Sequence, residues 1–494
     1  MRVLLVNSNQ HKSPLPVIPS GLCSVAAATE HAGHEVTVLD LCFARAPALD
    51  LERALARARP EVVGVSVRNL DNAAGYGTDF LLAATRRNVL EPLRARFRGP
   101  IVVGGPPLGI NGPEVLAYLG VELGIRGDGE HAFVELLRCL AAGAPPSAVG
   151  GLVWRRDGEL AANNPPSRVE RLDELPPTRL TRYLDVRAYQ RFASPIPVQT
   201  KRGCPLKCTY CTYNLIEGNG WRLREPTRVV DEIERLVAET GVRRVEFTDS
   251  VFNRPLEHAK AVLRAIVRRK LDVDLHTMGL NPAAVDDELV DLMVEAGFHA
   301  VDVGAESCSD VTLAGLGKSY RQDAVRRTAG LLHSRGLAVH WFLLVGAPGE
   351  TPETLSETLD TIDELADEWD LVDVGVGVRV YDGSPIAARM RAESPACSAD
   401  AFFSPVVYEP VGVNVETLKR LTKKHALRRT NYFMYDEDGT IPPRTIQLVA
   451  AVLDLLAPSQ PVWRGFVAHR KLQRLLGILA LKRLRFAWSS RPTA

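Results

Sequence analysis

The sequence predicts an α/β protein made of a Rossmann-like open sheet, a partial (β/α)6 TIM-type barrel and a C-terminal helical region. Residues 1–145 alternate apolar strand runs with helical stretches, a second series of strand signals starts near Pro197, and a Pro- and Gly-rich stretch separates the two. At 494 residues the chain exceeds what one core usually supports, and the reading divides it at 1–145, 146–195, 196–390 and 391–494. Its 46% hydrophobic and 24% charged residues are ordinary for a globular protein, and a net charge of +1 gives no electrostatic case for nucleic acid.

In the first unit Arg2–Asn7 reads as a buried strand, followed by a loop with Pro14, Pro16 and Pro19. A helix follows that Ser20 is placed to cap and Gly33 to end. Strands follow at Val36–Leu39, Val62–Val67 and Ile101–Val103. An open parallel sheet binds ligands beyond the carboxyl ends of its strands, so the loops of interest are Ser8 to Gly21, Arg68-Asn69, Gly104-Gly105-Pro106-Pro107 and Arg126-Gly127-Asp128-Gly129-Glu130. Glycine there lets backbone approach a bulky ligand.

The linker holds a hairpin signal, Gly151–Trp154 and Glu159–Leu160 around Asp157-Gly158. Six strand signals then recur at Pro197–Thr200, Arg244–Thr248, Val273–Met278, Val301–Glu306, Val339–Val345 and Val374–Tyr381. Helical stretches such as Arg228–Glu239 and Pro352–Ala366 lie between them, and such a barrel carries its functional groups at the strands' C-terminal ends. His276 shares a strand face with Asp274 and Met278 by the period of two. If that face is the lumen, His276 is a substrate-side candidate; otherwise it is a hydrogen-bonded core histidine.

Directly after the first barrel strand comes Lys201-Arg202-Gly203-Cys204-Pro205-Leu206-Lys207-Cys208-Thr209-Tyr210-Cys211, a C-x-x-x-C-x-x-C array. Thiolates are soft ligands for iron–sulfur clusters or zinc. A structural zinc site takes four ligands, usually as paired elements, and no second pair follows. A cubane cluster held by Cys204, Cys208 and Cys211 leaves one iron open. The remaining cysteines, Cys23, Cys42, Cys139, Cys308 and Cys397, are scattered singly, which is no disulfide framework. The chain opens on an apolar strand and contains no membrane-spanning run, so a reducing cytoplasm is the expected compartment and membrane contact is not expected.

The cysteine loop resembles the cluster-binding loop of the radical S-adenosylmethionine enzymes, whose [4Fe-4S] cluster binds S-adenosylmethionine at its open iron. The stretches Pro19–Leu22, Gly33–Val36, Gly104–Pro106 and Arg126–Glu130 are similar to the cobalamin-binding domain fused to one large class of them. The resemblance implies nucleotide contacts from Tyr210, Asp249, Gly304, Glu306 and Gly346, with Gly346-Ala347-Pro348-Gly349-Glu350 packing the adenine. It implies cobalamin contacts from Ser20, Gly21, Arg68, Asn69, Gly104, Gly105, Pro106, Gly127 and Glu130. The second barrel strand ends Thr248-Asp249-Ser250, without the Gly-Gly-Glu of many relatives. Many cobalamin proteins carry D-x-H-x-x-G after the first strand; here Asn9-Gln10-His11-Lys12-Ser13-Pro14 lacks the Asp and Gly. The literal match at Asp274–Gly279 falls in a barrel strand and is read as chance. Cobalamin is thus expected without a histidine lower ligand, with Arg68 or Asn69 beside that face.

The activity implied is transfer of a methyl group from methylcobalamin to an unactivated carbon or phosphorus centre of a small-molecule secondary metabolite, free or bound to a carrier protein. An external donor such as flavodoxin or ferredoxin would supply electrons. The alternative is a rearrangement, ring contraction or oxidative cyclisation with the same cofactors. His276, Arg379 and Tyr381 are the candidates for catalytic work on the substrate; Arg379 is alternatively an ion-pair partner of Asp373 or Asp382. Leu418–Phe433 resembles the helical cap of this class, and the basic amphipathic stretch Arg464–Arg485 reads as a solvated helix face or a docking face for an acidic carrier or a membrane surface.

Overall fold

The computed structural model describes residues 1–12, 15–73, 78–156, 158–162, 165–393, 402–434, 445, 447–449, 451–452, 460–475 and 477. The first sheet is formed by β1 (Arg2–Asn7), β2 (Glu35–Asp40), β3 (Val62–Ser66), β4 (Ile101–Gly104), β5 (Leu123–Ile125), β6 (Leu152–Arg156) and β7 (Glu159–Ala162), in the order β2-β1-β3-β4-β5-β6-β7. β1 to β5 are parallel. The Val- and Leu-rich runs of the inner strands β1, β3 and β4 are largely buried under helices, as a parallel sheet requires, while the edge strand β2 is only part-buried. The helix after β1 starts at Ser20, with Pro19 in the capping position, so Ser20 is helical and its side chain caps nothing. The hairpin β6–β7 pairs antiparallel onto β5 and covers what would be an exposed edge. Asp157 of its turn lies outside the described residues.

The barrel strands are β8 (Ile196–Val198), β11 (Arg244–Phe247), β12 (Asp274–Thr277), β13 (Ala300–Glu306), β14 (Ala338–Val345) and β15 (Leu371–Val376). They form two parallel segments, β12-β11-β8 and β13-β14-β15, joined by bridges at Leu275–Phe298 and Leu280–Val303. Between β8 and β11 a short ribbon pairs β9 (Lys201–Arg202) with β10 (Arg222–Leu223). The sixth barrel strand ends earlier than expected, at Val376. Gly377, at φ +90, turns the chain into β16 (Val378–Arg379), which pairs with β17 (Val407–Tyr408). A strand not foreseen, β18 (Tyr432–Met434), adds parallel to β15 from within the stretch expected to be helical cap. The helix Pro352–Leu365 begins on a capping box in which the Thr351 hydroxyl accepts from Thr354 N, with Pro352 at its first position.

The helix Val462–Leu475 lies against the barrel. Its Lys471 pairs with Glu368 at 3.1 Å and stacks on Trp369, and Arg470 stacks on Phe433, so these cations bind the protein's own surface. Lys482, Arg483 and Arg485 lie outside the described residues. Among the described residues no helix is long and apolar enough to cross a membrane. The two units share a core: Ile18, Cys23 and Cys42 of the first are buried with the barrel's Val229, Val230 and Phe247.

Candidate functional site

The ribbon β9–β10 closes a loop, residues 203–221, that holds the three cysteines beside the end of β8. Gly203 at φ +90 enters it, and a Cβ there would stand 1.9 Å from the Gly220 carbonyl oxygen, so only glycine allows this crossing. Gly203 N donates to Glu217 Oε2 at 3.0 Å and Cys204 N to Gly218 O at 2.9 Å. Thr209 N and Ile386 N, with bonds to Leu316 O and Thr209 O at 2.9 Å, pin the loop's far side to the end of the helix Asp310–Gly315 and the start of the helix Pro385–Glu393. Burial raises the thiol of Cys204 and pushes that of Cys211 up to about 11, and the neighbouring cysteines add to both. Three thiols on one short loop suit an iron–sulfur cluster. Among the described residues no three His, Cys, Asp or Glu side chains converge on a single metal ion.

Beside the array stands a triad. The Tyr210 hydroxyl donates to Glu306 Oε1 at 2.7 Å, and Lys318 Nζ donates to Glu306 Oε1 at 3.1 Å and to Tyr210 Oη at 3.0 Å. The Tyr210 side chain is thus committed to Glu306 and Lys318. Glu306 sits at φ +59, a left-handed conformation costly for a non-glycine residue, where a bulge ends β13. That turn aims the carboxylate at the loop. Burial works against a charged Lys318, but the Glu306 carboxylate more than offsets it and holds the ammonium well above its usual range. Sequence reasoning passed over Lys318; its signal was a lone lysine in Gly315-Leu316-Gly317-Lys318, twelve residues beyond the key carboxylate. Gly304 lies on the lumen face of β13, its carbonyl held by the Tyr320 hydroxyl at 2.8 Å. Gly346 takes φ +97 and donates to Glu350 Oε2 at 3.1 Å.

Three expected site residues are engaged elsewhere. Asp249 is buried, accepting from Thr200 N at 2.8 Å, Thr200 Oγ1 at 2.6 Å and Lys201 Nζ at 2.9 Å, which leaves it no reach to a nucleotide. Arg379 pairs neither Asp373 nor Asp382. Its Nε donates to Asp71 Oδ2 of the first unit at 2.9 Å, and Tyr381 Oη donates to Asp71 Oδ1 at 2.6 Å. Both side chains brace the two units together, so the substrate contacts expected of them give way to an interface role. His276 does face the lumen, in register with Glu246.

The loops of the first unit open on one cleft of about 340 Å³, bordered by Ser20, Gly21, Arg68, Gly104, Gly105, Pro106, Gly127 and Glu130. Asn69 is not on it. Gly21 and Gly104 have nothing within 4 Å of where a Cβ would stand, so their backbones meet open space, whereas a Cβ on Gly105 would strike the Val67 carbonyl at 2.0 Å. Such a glycine-lined cradle at the sheet's carboxyl end fits a bulky cofactor such as cobalamin. The opposite wall is Gln199, Arg202, Ile216 and Glu217 from around the cysteine loop. Glu130 borders the cleft, but its carboxylate is committed to Arg202 at 2.7 Å and the Ser24 hydroxyl at 2.9 Å. Burial raises its pKa and Arg202 lowers it by more, for a net fall. Asp128 likewise pairs with Arg202 at 3.4 Å and with Arg222. Asp71, Asp128, Arg202 and Arg222 are site-framing residues that sequence reasoning missed, because each partner is remote in the chain.

Residues 10–137 match the B12 binding domain, and residues 198–362 match the radical SAM superfamily. The chain is 30% identical to the tryptophan 2-C-methyltransferase of Streptomyces laurentii over 74% of its own length and 70% of that protein's. It is 26% identical to the cytidylyl-2-hydroxyethylphosphonate methyltransferase of Streptomyces wedmorensis, over 74% and 77%. Two structures of the radical S-adenosylmethionine methyltransferase TsrM from Kitasatospora setae superpose on it. The first, with cobalamin and a [4Fe-4S] cluster, has a TM-score of 0.82 at 24% identity, covering 96% of this chain and 98% of that one. The second, with tryptophan and aza-SAM, has a TM-score of 0.73 at 28% identity, covering 93% and 90%. A three-thiol loop at a barrel mouth, facing a glycine cradle across one cleft, is what such a pair of cofactors needs, and with these matches the chain belongs to the cobalamin-dependent radical S-adenosylmethionine methyltransferases, enzymes of [4Fe-4S] cluster, S-adenosylmethionine and cobalamin.

Proposed function

We propose that the methyl acceptor is an unactivated carbon centre of a small-molecule natural product, with tryptophan-like compounds the first to test. The relatedness to a tryptophan methyltransferase supports this choice. The observation that carries the reading is the single cleft walled on one side by the glycine loops and on the other by the cysteine-loop residues.

In this reading Cys204, Cys208 and Cys211 hold the cluster, and Ser20, Gly21, Gly104, Gly105, Pro106 and Gly127 cradle cobalamin, with Arg68 beside its lower face. When bound, the cluster supplies one electron and cobalamin the methyl group. The residues supply position and charge. Glu306, presented by its left-handed turn and flanked by Tyr210 and Lys318, offers a fixed carboxylate and ammonium to the nucleotide. The turn Gly346–Glu350, held by the bond from Gly346 N to Glu350, would pack the adenine. The buried Asp128, Glu130, Arg202 and Arg222 close the seam between the units against water. The acceptor arrives free or on a carrier protein, and flavodoxin or ferredoxin serves as electron donor, in a cytoplasmic setting. The division at about residues 145, 195 and 390 belongs to the same reading.

The test is anaerobic reconstitution with cobalamin and methyl-deuterated S-adenosylmethionine, with tryptophan and its analogues as acceptors. The expected product carries an intact CD3 group. A product of altered skeleton without added label would overturn the reading in favour of rearrangement or cyclisation.

A further inference from the structure

The barrel lumen below the cysteine loop carries a polar lining of its own. Glu246 on β11 and His276 on β12 are register partners, and both face the lumen, since Val245 and Leu275 beside them point into the outer core. Both are part-buried in the lumen, and neither side chain has a hydrogen-bond partner among the described residues. Ionisable groups held partly out of water without partners, with perturbed titration and charged neighbours, mark a place that a ligand completes.

The surroundings indicate which ligand. Asp302 on β13 bears electrostatically on both residues, pairs with His340 at 3.4 Å, and His340 lies 3.9 Å from Asp373. Asp274 stands two residues before His276 and pairs with His299 at 3.7 Å. Against these four carboxylates stand two guanidiniums, Arg244 on the same strand and Arg68 from the first unit. Burial first, then Asp302, push the Glu246 carboxyl up to about 7, while burial and Arg244 bring His276 down to about 4, leaving a neutral imidazole that can accept a hydrogen bond. Space is open above the pair: Met278, next on the same face, is 48% exposed, and the Asp302 side chain keeps 28% exposure inside the barrel. Glu350 is the contrast. Its carboxyl is also pushed up to about 7 by burial, yet it accepts from Gly346 N and the Thr354 hydroxyl and serves its own turn.

We propose that Glu246 and His276 form the subsite that receives a protonated amine of the methyl acceptor. An ammonium group brings three donors and a positive charge, which satisfies the carboxylate and the imidazole together and relieves the crowding of Glu246 by Asp302. Naming this ligand the acceptor rests on the methyltransferase reading; the binding chemistry does not.

The test uses isothermal titration calorimetry on the full, anaerobically reconstituted protein with matched amine and acid probes: tryptamine against indole-3-propionate, and phenethylamine against 3-phenylpropionate. At least one amine should bind tenfold or more tighter than its acid. Glu246→Gln should lose that preference while S-adenosylmethionine binding is unchanged, and the ligand-free variant should melt at a higher temperature than the parent. Acids binding as tightly as amines, no binding by either amine, an unchanged preference in Glu246→Gln, or a lower melting temperature would each overturn the proposal. Label transfer is scored separately: amine binding without methyl transfer would sink the functional reading and keep the subsite, and methyl transfer without amine preference would do the reverse.

Discussion

The seam between the two units and the lumen of the barrel both bury charge, and they treat it in opposite ways. At the seam three carboxylates have cations: Asp71 with Arg379, Glu130 with Arg202, Asp128 with Arg202 and Arg222. In the lumen Glu246 and His276 stand beside one another without partners. Paired burial fixes geometry and is expensive to break, whereas unpaired burial lowers stability and leaves a place for something to bind. The seam is therefore read as the frame that sets the distance between the cofactors, and the lumen as the part that meets the substrate.

The sharpest way to separate frame from chemistry is Cys208→Ala. It should abolish the cluster and reductive cleavage of S-adenosylmethionine entirely, yet leave cobalamin binding intact by absorbance titration. Loss of both would mean that the seam and the cysteine loop fold as one. Next in size, Asp71→Asn strands a buried guanidinium, and thermal unfolding should register a loss of about 3–5 kcal/mol. The double replacement Asp71→Leu with Arg379→Met should recover most of it. Glu130→Gln should cost less, about 1–3 kcal/mol, because Ser24 keeps its hydrogen bond. The Glu130 pKa is below its ordinary 4.5, so its stabilisation is complete above that value and is lost as the pH falls through the lowered one; the variant's acid limb should be flatter. The smallest effect has the opposite sign. The Glu246 pKa is raised, so the folded state holds a proton that the unfolded state releases, and stability falls as the pH rises from about 4.5 to about 7. Glu246→Gln should remove that slope and gain about 1–2 kcal/mol at pH 8. A seam variant that gained stability, or a lumen variant that lost it, would break the contrast.

The features legible in the sequence were those whose meaning is local. The spacing of Cys204, Cys208 and Cys211, the glycines at 21, 104, 105 and 127, and the strand runs need only a few neighbouring residues; those glycines border one cleft, and the strand runs are strands apart from the shortened sixth of the barrel. Arg379 and Tyr381 were misread because their partner lies some three hundred residues away in the chain. Asp249 was misread because a strand-end acid looks the same whether it faces a nucleotide or the buried ammonium of Lys201. Glu246 drew no attention at all: in Arg244-Val245-Glu246-Phe247 it is an ordinary alternating polar residue, and only the register with His276 and the position of Asp302 give it significance. β18 escaped notice because three residues, Tyr432–Met434, carry too short a pattern to distinguish a strand from the end of a helix.

The shared core of Ile18, Cys23 and Cys42 with Val229, Val230 and Phe247 carries a consequence for how the enzyme is loaded. The first unit is a structural wall of the barrel and cannot swing away without exposing that apolar surface to solvent. A corrinoid must therefore thread in through the mouth of the cleft after folding, or be present while the chain folds around it. A barrel separated from the first unit would present Val229, Val230 and Phe247 without the apolar partners Ile18, Cys23 and Cys42.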